Sequence, residues 1–240
     1  MARDTIFETM TPAEKFEFND RVADVFDDML DRSVPFYKQV IAMTAEILCR
    51  SLLPGDRVYD LGCSTGTTLL FLARELAGKK LVLIGVDDST AMLDKAFRKA
   101  EMYSMGGSIN FIQEDITQIE LVEAGGVILN YTLQFITPSI RGEFLRKIHN
   151  GLRDRGVLVL SEKIVCPDKE RNEQFLDSYH RYKKNRGYSE LEIANKREAL
   201  ENVLIPLSIE ENSNLLCQAG FSRVDTFFQW FNFVSIVARK

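Results

Sequence analysis

The chain has 240 residues, a formal net charge of −5, 45% hydrophobic residues and 27% charged ones, the profile of an ordinary globular protein long enough to bury a real core. The acid excess argues against a phosphate-binding face, since nonspecific nucleic-acid affinity comes from clustered Lys and Arg, so no direct nucleic-acid partner is expected. Met1 to Met10 holds no apolar leader core and no apolar run is long enough to span a bilayer, which implies a cytoplasmic protein with no membrane partner.

The first sixty residues read as an N-terminal helical cover (residues 1–56). Thr11-Pro12-Ala13-Glu14 is a capping box with Pro at the first helical position, and Val22 to Leu30 and Phe36 to Leu53 carry apolar residues at helical spacing. From Val58 the pattern changes to short apolar runs that end in polar or acidic residues, each followed by a helical stretch. That is the rhythm of an α/β doubly wound, mostly parallel sheet. The expected strands are Arg57 to Leu61, Lys80 to Asp87, Ile109 to Glu114, Gly126 to Tyr131 and Gly156 to Lys163. Ser89 and Thr137-Pro138 open helices, and the second of these stops near Asn150-Gly151. A basic helical insertion over 167–206 has its own capping box at Ser189 and Glu192. Ser208 and Glu211 then open a last helix closed by Gly220, and Phe221 to Asp225 with Asn232 to Ala238 read as a terminal hairpin. The whole, 1–240, reads as a single domain. Cys49, Cys63, Cys166 and Cys217 form no C-x-x-C pair and read as four buried thiols, with no metal site and no disulfide framework.

The chemistry concentrates at strand ends. Val58-Tyr59-Asp60-Leu61-Gly62-Cys63-Ser64-Thr65-Gly66 runs an apolar strand into a turn and then a helix over Thr67 to Leu76, and Gly62 and Gly66 let a ligand approach the backbone. The dinucleotide pattern G-x-G-x-x-G is absent. Asp60 would oppose a pyrophosphate but suits a cationic amino-acid sulfonium, so the expected ligand is adenosine-based without phosphates. Asp87 and Asp88 follow roughly 25 residues after Gly62, the place for an acid that accepts from ribose hydroxyls. Asp88 and Ser89 compete to cap the next helix, which leaves Asp87 the better ligand. Asp115 with Ile116 is placed to meet an adenine amino group beside an apolar wall, and Asn130-Tyr131 ends the fourth strand. All lie where open α/β sheets bind ligands.

Asp60-x-Gly62-x-Ser64-x-Gly66, Asp87, Asp115-Ile116 and Asn130 resemble the class I S-adenosylmethionine-dependent methyltransferase superfamily, a Rossmann-like fold. Further pieces narrow this: Asp20 to Phe26, Arg32-Ser33-Val34-Pro35-Phe36-Tyr37, Asn130 to Phe135, Leu160-Ser161-Glu162-Lys163, and Gly187 to Glu190 through Lys196-Arg197. In combination they are similar to the carboxy-S-adenosylmethionine synthase family. Ser64, in the middle glycine position of the superfamily motif, is a departure which that family shares, whereas Asp88 stands where it has Asn.

The resemblance implies that S-adenosyl-L-methionine is carboxylated on its methyl group by carbon dioxide from prephenate, giving carboxy-S-adenosyl-L-methionine and phenylpyruvate. It implies a product that feeds tRNA wobble-uridine modification by a separate enzyme, and a homodimer, for which the insertion is the candidate contact. It assigns Tyr37, Gly62, Cys63, Ser64, Asp87, Asp88, Asp115, Ile116, Asn130 and Arg197 to the ligand site, with Arg197 as the catalytic position that meets the added carboxylate. By itself, Lys196-Arg197 in a charged helix reads as a solvated face. His149 and His180 are not needed as bases, because the departing prephenate hydroxyl can serve. Two other readings stay open: a small-molecule methyltransferase, and a noncatalytic S-adenosylmethionine-binding protein. The absence of a Pro-Pro-aromatic element after the fourth strand disfavours only the amino-methylating branch.

Overall fold

The computed structural model describes residues 3–9 and 16–240; the capping box expected at Thr11 to Glu14 lies outside the described residues. The strands are β1 (Arg57–Leu61), β2 (Val82–Asp87), β3 (Ile109–Gln113), β4 (Ala124–Asn130), β5 (Leu152–Lys163), β6 (Arg223–Trp230) and β7 (Phe233–Arg239). They form one sheet in the order β3-β2-β1-β4-β5-β7-β6, in which β7 runs antiparallel to both neighbours and the other pairings are parallel. The chain builds outward from β1 to β3, then returns to lay β4 against the other side of β1. A crevice outside the carboxyl ends of β1 and β4 follows from that reversal.

The helices are α1 (Ile6–Thr9), α2 (Asp20–Ser33), α3 (Tyr37–Ser51), α4 (Thr67–Glu75), α5 (Thr90–Met102), α6 (Pro138–Gly151), α7 (Lys169–Asn185), α8 (Glu190–Ala199) and α9 (Ile209–Ala219). Strand alternation decides which side each residue serves. Val58 and Ile128 pack with Leu48 of α3 and Leu69 of α4, whereas Tyr59, Leu61, Val127 and Leu129 face Leu145 of α6 and Leu216 of α9. Sheet residues between two helical layers are buried on both faces, which is why the strands read as continuous apolar runs.

A third cluster, Phe7, Phe16, Val22, Phe26, Met29 and Met92, seats the N-terminal cover on α5. The cover is also tied to the insertion. Arg32 donates to the Asp4 and Arg186 carbonyls, both at 2.9 Å, and stacks 3.9 Å above the Tyr188 ring, whose hydroxyl bonds Asp4. Asn195 of α8 donates to the Phe7 carbonyl at 2.9 Å.

Local signals performed as expected at Ser189 and Ser208, which both form complete capping boxes, and at Thr137-Pro138 and Gly220. Other boundaries differ. β2 starts at Val82 because Lys80 sits in the left-handed region, and β5 starts at Leu152 because α6 runs straight into it. β6 extends to Trp230, past the expected end at Asp225. It is a half-exposed edge strand whose register shifts between Thr226 and Phe228, so the bulge breaks the alternation that would mark a strand. The cysteines also differ from expectation. Cys63 is buried and Cys166 partly so, but Cys49 and Cys217 are exposed on the outer sides of α3 and α9.

Candidate functional site

A cavity of about 460 Å³ opens outside the carboxyl ends of β1, β2 and β4, within the size range of small-molecule sites. The chain leaves β1 through Gly62 (φ 78) and Ser64 (φ 47). A Cβ at Gly62 would stand 2.5 Å from Thr132 Cγ2, so the turn after β1 can lie against the turn after β4 only with glycine there.

The Asp87 carboxylate locks this turn. Oδ2 accepts the Ser64 N–H at 2.8 Å and Oδ1 the Ser89 N–H at 3.0 Å, and each oxygen retains acceptor capacity toward the cavity. Ser89 is the cap of α5, its hydroxyl accepting from Met92 N–H at 3.2 Å. The competition between Asp88 and Ser89 therefore resolves to Ser89, and Asp88 remains on the cavity wall. Asp60 is fully buried on that wall with Oδ1 unpartnered. Burial and the neighbouring Asp87 push its carboxyl up to about 7.

Asn130 donates through Nδ2 to the Thr68 hydroxyl at 3.3 Å, leaving a buried Oδ1 without a partner. Asp115 is exposed at the cavity lip, where Oδ1 accepts both the N–H and the hydroxyl of Thr117 at 2.8 Å, and Ile116 beside it is buried. Cys63 is buried on the wall, where burial raises its thiol above the ordinary range. Tyr37, at the start of α3, lines the cavity too; burial and Asp60 raise its hydroxyl, and a hydrogen bond with Thr68 works the other way. Phe18, Phe26 and Met29 from the cover and Leu200 and Leu204 after α8 complete the apolar side.

The cover is pinned beside the turn by a partly buried ion pair, with the more exposed Lys95–Asp24 pair further along the same helices. Lys99 Nζ reaches Asp27 at 2.9 Å, Thr67 Oγ1 at 2.7 Å and Thr65 Oγ1 at 3.1 Å. Burial tends to raise the Asp27 carboxyl, but Lys99 and the two hydroxyls outweigh it and hold it below its usual value.

Nine of the ten expected site residues thus border one cavity. Arg197 does not: it is exposed on α8, and Lys196 lines the wall instead. α8 buries Glu192, Ile193 and Lys196, and the step of about 100° to the next residue carries Arg197 past the edge of that face. His180 pairs with Glu190 in an exposed position outside the cavity. Sequence reasoning missed Lys163 and Lys196 on the wall. Lys163 ends β5, so the same strand-end rule that found Asp60 and Asp87 pointed to it.

Arg141 of α6 was missed too. Only 1% exposed, it donates to the carbonyls of Ile136 at 2.9 Å, Gln134 at 3.1 Å and Ile205 at 2.9 Å. Its charge opposes the burial that pushes Glu162 up to about 8, and the backbone of Thr132 to Gln134 works in the same direction, while Glu162 Oε1 is buried without a hydrogen-bond partner. The pair thereby fixes the turn after β4 that forms the wall opposite Gly62.

Comparison with known proteins agrees with this geometry. Residues 58–156 match the family model described as a methyltransferase domain. Among solved structures, a putative S-adenosyl-L-methionine-dependent methyltransferase from Methanococcus maripaludis superposes with a TM-score of 0.64 at 19% identity, covering 96% of this chain and 97% of that one. Human N-acetylserotonin methyltransferase in complex with SAM also gives 0.64, at 18% identity, covering 99% of this chain and 63% of that one. At that identity the likeness speaks to the fold, a class I methyltransferase sheet with added helices. Closer in sequence is a carboxy-S-adenosyl-L-methionine synthase of Desulfotalea psychrophila, 59% identical over 99% of this chain and 97% of its own length. A second such synthase, from Campylobacter concisus, is 50% identical over 99% of this chain and its own full length. With that identity sustained end to end, the chain belongs to the carboxy-S-adenosyl-L-methionine synthase family, enzymes built on the methyltransferase fold with S-adenosyl-L-methionine as substrate and carboxy-S-adenosyl-L-methionine as product.

Proposed function

We propose that the chain works in the cytoplasm as one methyltransferase-like domain, carboxylating the methyl group of S-adenosyl-L-methionine with carbon dioxide drawn from prephenate. The observation that carries the reading is the convergence of Asp60, Gly62, Asp87 and Asn130 on one cavity in a chain with synthase relatives at full coverage. The product supplies wobble-uridine modification of tRNA by a separate enzyme, and this chain binds no nucleic acid itself.

In the reaction, the bond from the prephenate ring to its carboxylate breaks, and the electron pair makes the ring aromatic as the ring hydroxyl leaves. The freed hydroxide takes a proton from the methyl group, acidified by the sulfonium, and departs as water. The resulting ylide carbon attacks carbon dioxide, and phenylpyruvate remains. Phe18, Phe135 and Ile116 on the cavity wall keep out the water that would reprotonate the ylide.

Asp87 accepts from the ribose hydroxyls with Asp88 beside it, Asp115 and Ile116 hold the adenine, and the backbone of Gly62, Cys63 and Ser64 carries the amino-acid portion near Asp60 and Asn130. Tyr37 closes the site from the cover. The chain acts as a homodimer through the 167–206 insertion, and Arg197, outward-facing on its own chain, meets the added carboxylate across that contact.

Two measurements test this. The protein incubated with prephenate and S-adenosyl-L-methionine should form a carboxylated sulfonium and phenylpyruvate by mass spectrometry; methyl transfer to an acceptor, or no reaction, refutes the synthase chemistry. Arg197→Leu should weaken carboxy-S-adenosyl-L-methionine by about 2–4 kcal/mol, roughly 30- to 900-fold, because a bidentate ion pair is lost, with S-adenosyl-L-methionine affinity unchanged. Equal weakening of both ligands by calorimetry would make Arg197 a general binding residue.

Asp60 sets a pH dependence. Its folded value, raised to about 7, means that the unliganded protein holds a proton there below neutrality, and a bound cation must expel it. Affinity for S-adenosyl-L-methionine should therefore fall as pH drops through 7, by up to about tenfold per pH unit. The same shift costs the unliganded fold stability as pH rises from the unfolded carboxylate value through 7. Asp60→Asn should flatten the binding profile, and a wild-type profile already flat between pH 6 and 8 would remove Asp60 from the cation contact.

A further inference from the structure

The cavity is electrically two-ended. Asp60, Asp87, Asp88 and Asp115 gather where β1, β2 and β3 end, while Lys163 from the end of β5 and Lys196 from α8 border the same space. Behind them stands Lys183 of α7. Its Nζ lies 4.4 Å from the centre of the Tyr179 ring, and Lys163 Nζ lies 5.3 Å from the same ring; Tyr179 lines the cavity. Lys183 and Lys196 are only 7% and 8% exposed.

Among the described residues none of the three lysines has a carboxylate partner within salt-bridge distance. Lys196 donates to the Ser33 hydroxyl at 2.7 Å and otherwise faces the rings of Phe7 and Tyr188. Asp4 and Glu192 favour the Lys196 charge without pairing with it, Arg32 and Lys163 oppose it, and the charged neighbours acting on Lys183 are all cations. Burial and the charges of Lys163, Lys196 and Arg197 push the Lys183 ammonium down to about 7, and burial lowers Lys163. Ammonium groups held from water without a close carboxylate cost free energy, so Lys163 and Lys196 on the wall, with Lys183 behind them, mark a place where an anion arrives with the ligand. A second orphan lies there. The Tyr131 hydroxyl is buried on the cavity wall without a hydrogen-bond partner, on a residue 8% exposed with φ 62 and a ring 6.0 Å from that of Phe233.

The geometry points to Lys163, Lys196 and the Tyr131 hydroxyl as the seat of the second substrate's carboxylate, with Lys183 strengthening the positive potential from behind Tyr179. The occupant is a carboxylate-bearing donor rather than the nucleoside, because the nucleoside's charged partners lie at the opposite, acidic end. Tyr131, Tyr179 and Phe233 supply the flat apolar surface that an unsaturated ring carrying such a carboxylate needs. This rests on the carboxyl-donor reading above, but it makes a claim that does not require turnover.

The test uses the full chain saturated with S-adenosyl-L-methionine and titrated with phenylpyruvate, a monocarboxylate with an aromatic ring, by calorimetry. Lys163→Met should weaken phenylpyruvate at least tenfold while changing S-adenosyl-L-methionine affinity by less than about threefold, and Lys163→Arg should restore most of the loss. Tyr131→Phe, which removes one oxygen and leaves the ring in place, should weaken phenylpyruvate severalfold and raise the prephenate KM more than it lowers kcat. If the wild-type protein binds phenylpyruvate in this lysine-dependent way but does not turn over prephenate, the seat stands and the donor assignment falls. If phenylpyruvate binding survives both Lys163→Met and Tyr131→Phe, or if each change weakens both ligands equally, the seat is not there.

Discussion

Gly62→Ala should lower the melting midpoint by about 5–15 °C and reduce S-adenosyl-L-methionine binding by at least tenfold. Two separate costs add. The backbone at position 62 has φ 78, which an L-residue with a Cβ occupies at about 1–2 kcal/mol. The new methyl would also start 2.5 Å from Thr132 Cγ2 and 2.7 Å from Thr132 Oγ1, and relieving such an overlap in a packed region costs about 1–3 kcal/mol. Thr132 has little room to retreat, because its carbonyl accepts the Phe135 N–H at 3.0 Å and the residue before it is held to the Ser161 carbonyl at 2.7 Å. The methyl would therefore force the two turns apart and spoil the spacing between the Ser64 N–H and Asp87. The double variant Gly62→Ala with Thr132→Ala should regain the steric share but not the conformational share. A single variant that melts within 2 °C of wild type and binds normally would show that the two turns are not held in contact.

The second large effect is at Arg141. Arg141→Met should destabilise the protein by about 3–5 kcal/mol, read from denaturant midpoints, since it strips the Ile136 and Ile205 carbonyls of the guanidinium and leaves Gln134 only the Ile205 N–H. Glu162, raised to about 8, already holds its proton at neutral pH, and in the variant it should rise further, so the loss of its counter-charge should add to the cost only above pH 8. Read above pH 8, where Glu162 is ionised, Arg141→Met with Glu162→Gln should cost less than the sum of the single changes, because the uncompensated charge is then gone. Simple additivity would mean that the Arg141 charge does not act on Glu162, and a loss below about 1 kcal/mol would mean that water serves the carbonyls of Gln134, Ile136 and Ile205 as well as the guanidinium does.

The parts of the fold most legible in the sequence were those with a short, local physical signature. Strands buried between two helical layers must be apolar throughout and polar where they emerge, so the sequence delimits β1 to the residue and marks the sheet edge at Asp60, Asp87 and Asn130. Ser189 with Glu192 and Ser208 with Glu211 announced helix starts because the capping box is confined to four residues. What failed lacked such a signature. α8 is charged nearly all round, so nothing in its pattern chose between Lys196 and Arg197 as the inward residue, and only packing against the cover decided it. Arg141 resembles any cation on a solvated helix until the turn after β4 and Ile205 close over it. Lys163, Lys183 and Lys196 come from three elements, and their convergence is a tertiary fact. β6 was cut short because the bulge between Thr226 and Phe228 interrupts its period.

The clamp of Arg32 on Asp4, Arg186 and Tyr188 joins segments 154 residues apart, and this has a consequence for synthesis on the ribosome. The acidic shelf is complete in sequence once Asn130 has emerged, and α2 can already seat on α5, yet Arg32 lacks the Arg186 carbonyl and the Tyr188 ring until residues 186–196 follow it out. The nascent chain thus carries a cover seated on α5 but not yet tied down at Phe7, which α8 reaches last. Stability of the early sheet, more than that of the finished lid, governs how safely the protein passes through that interval.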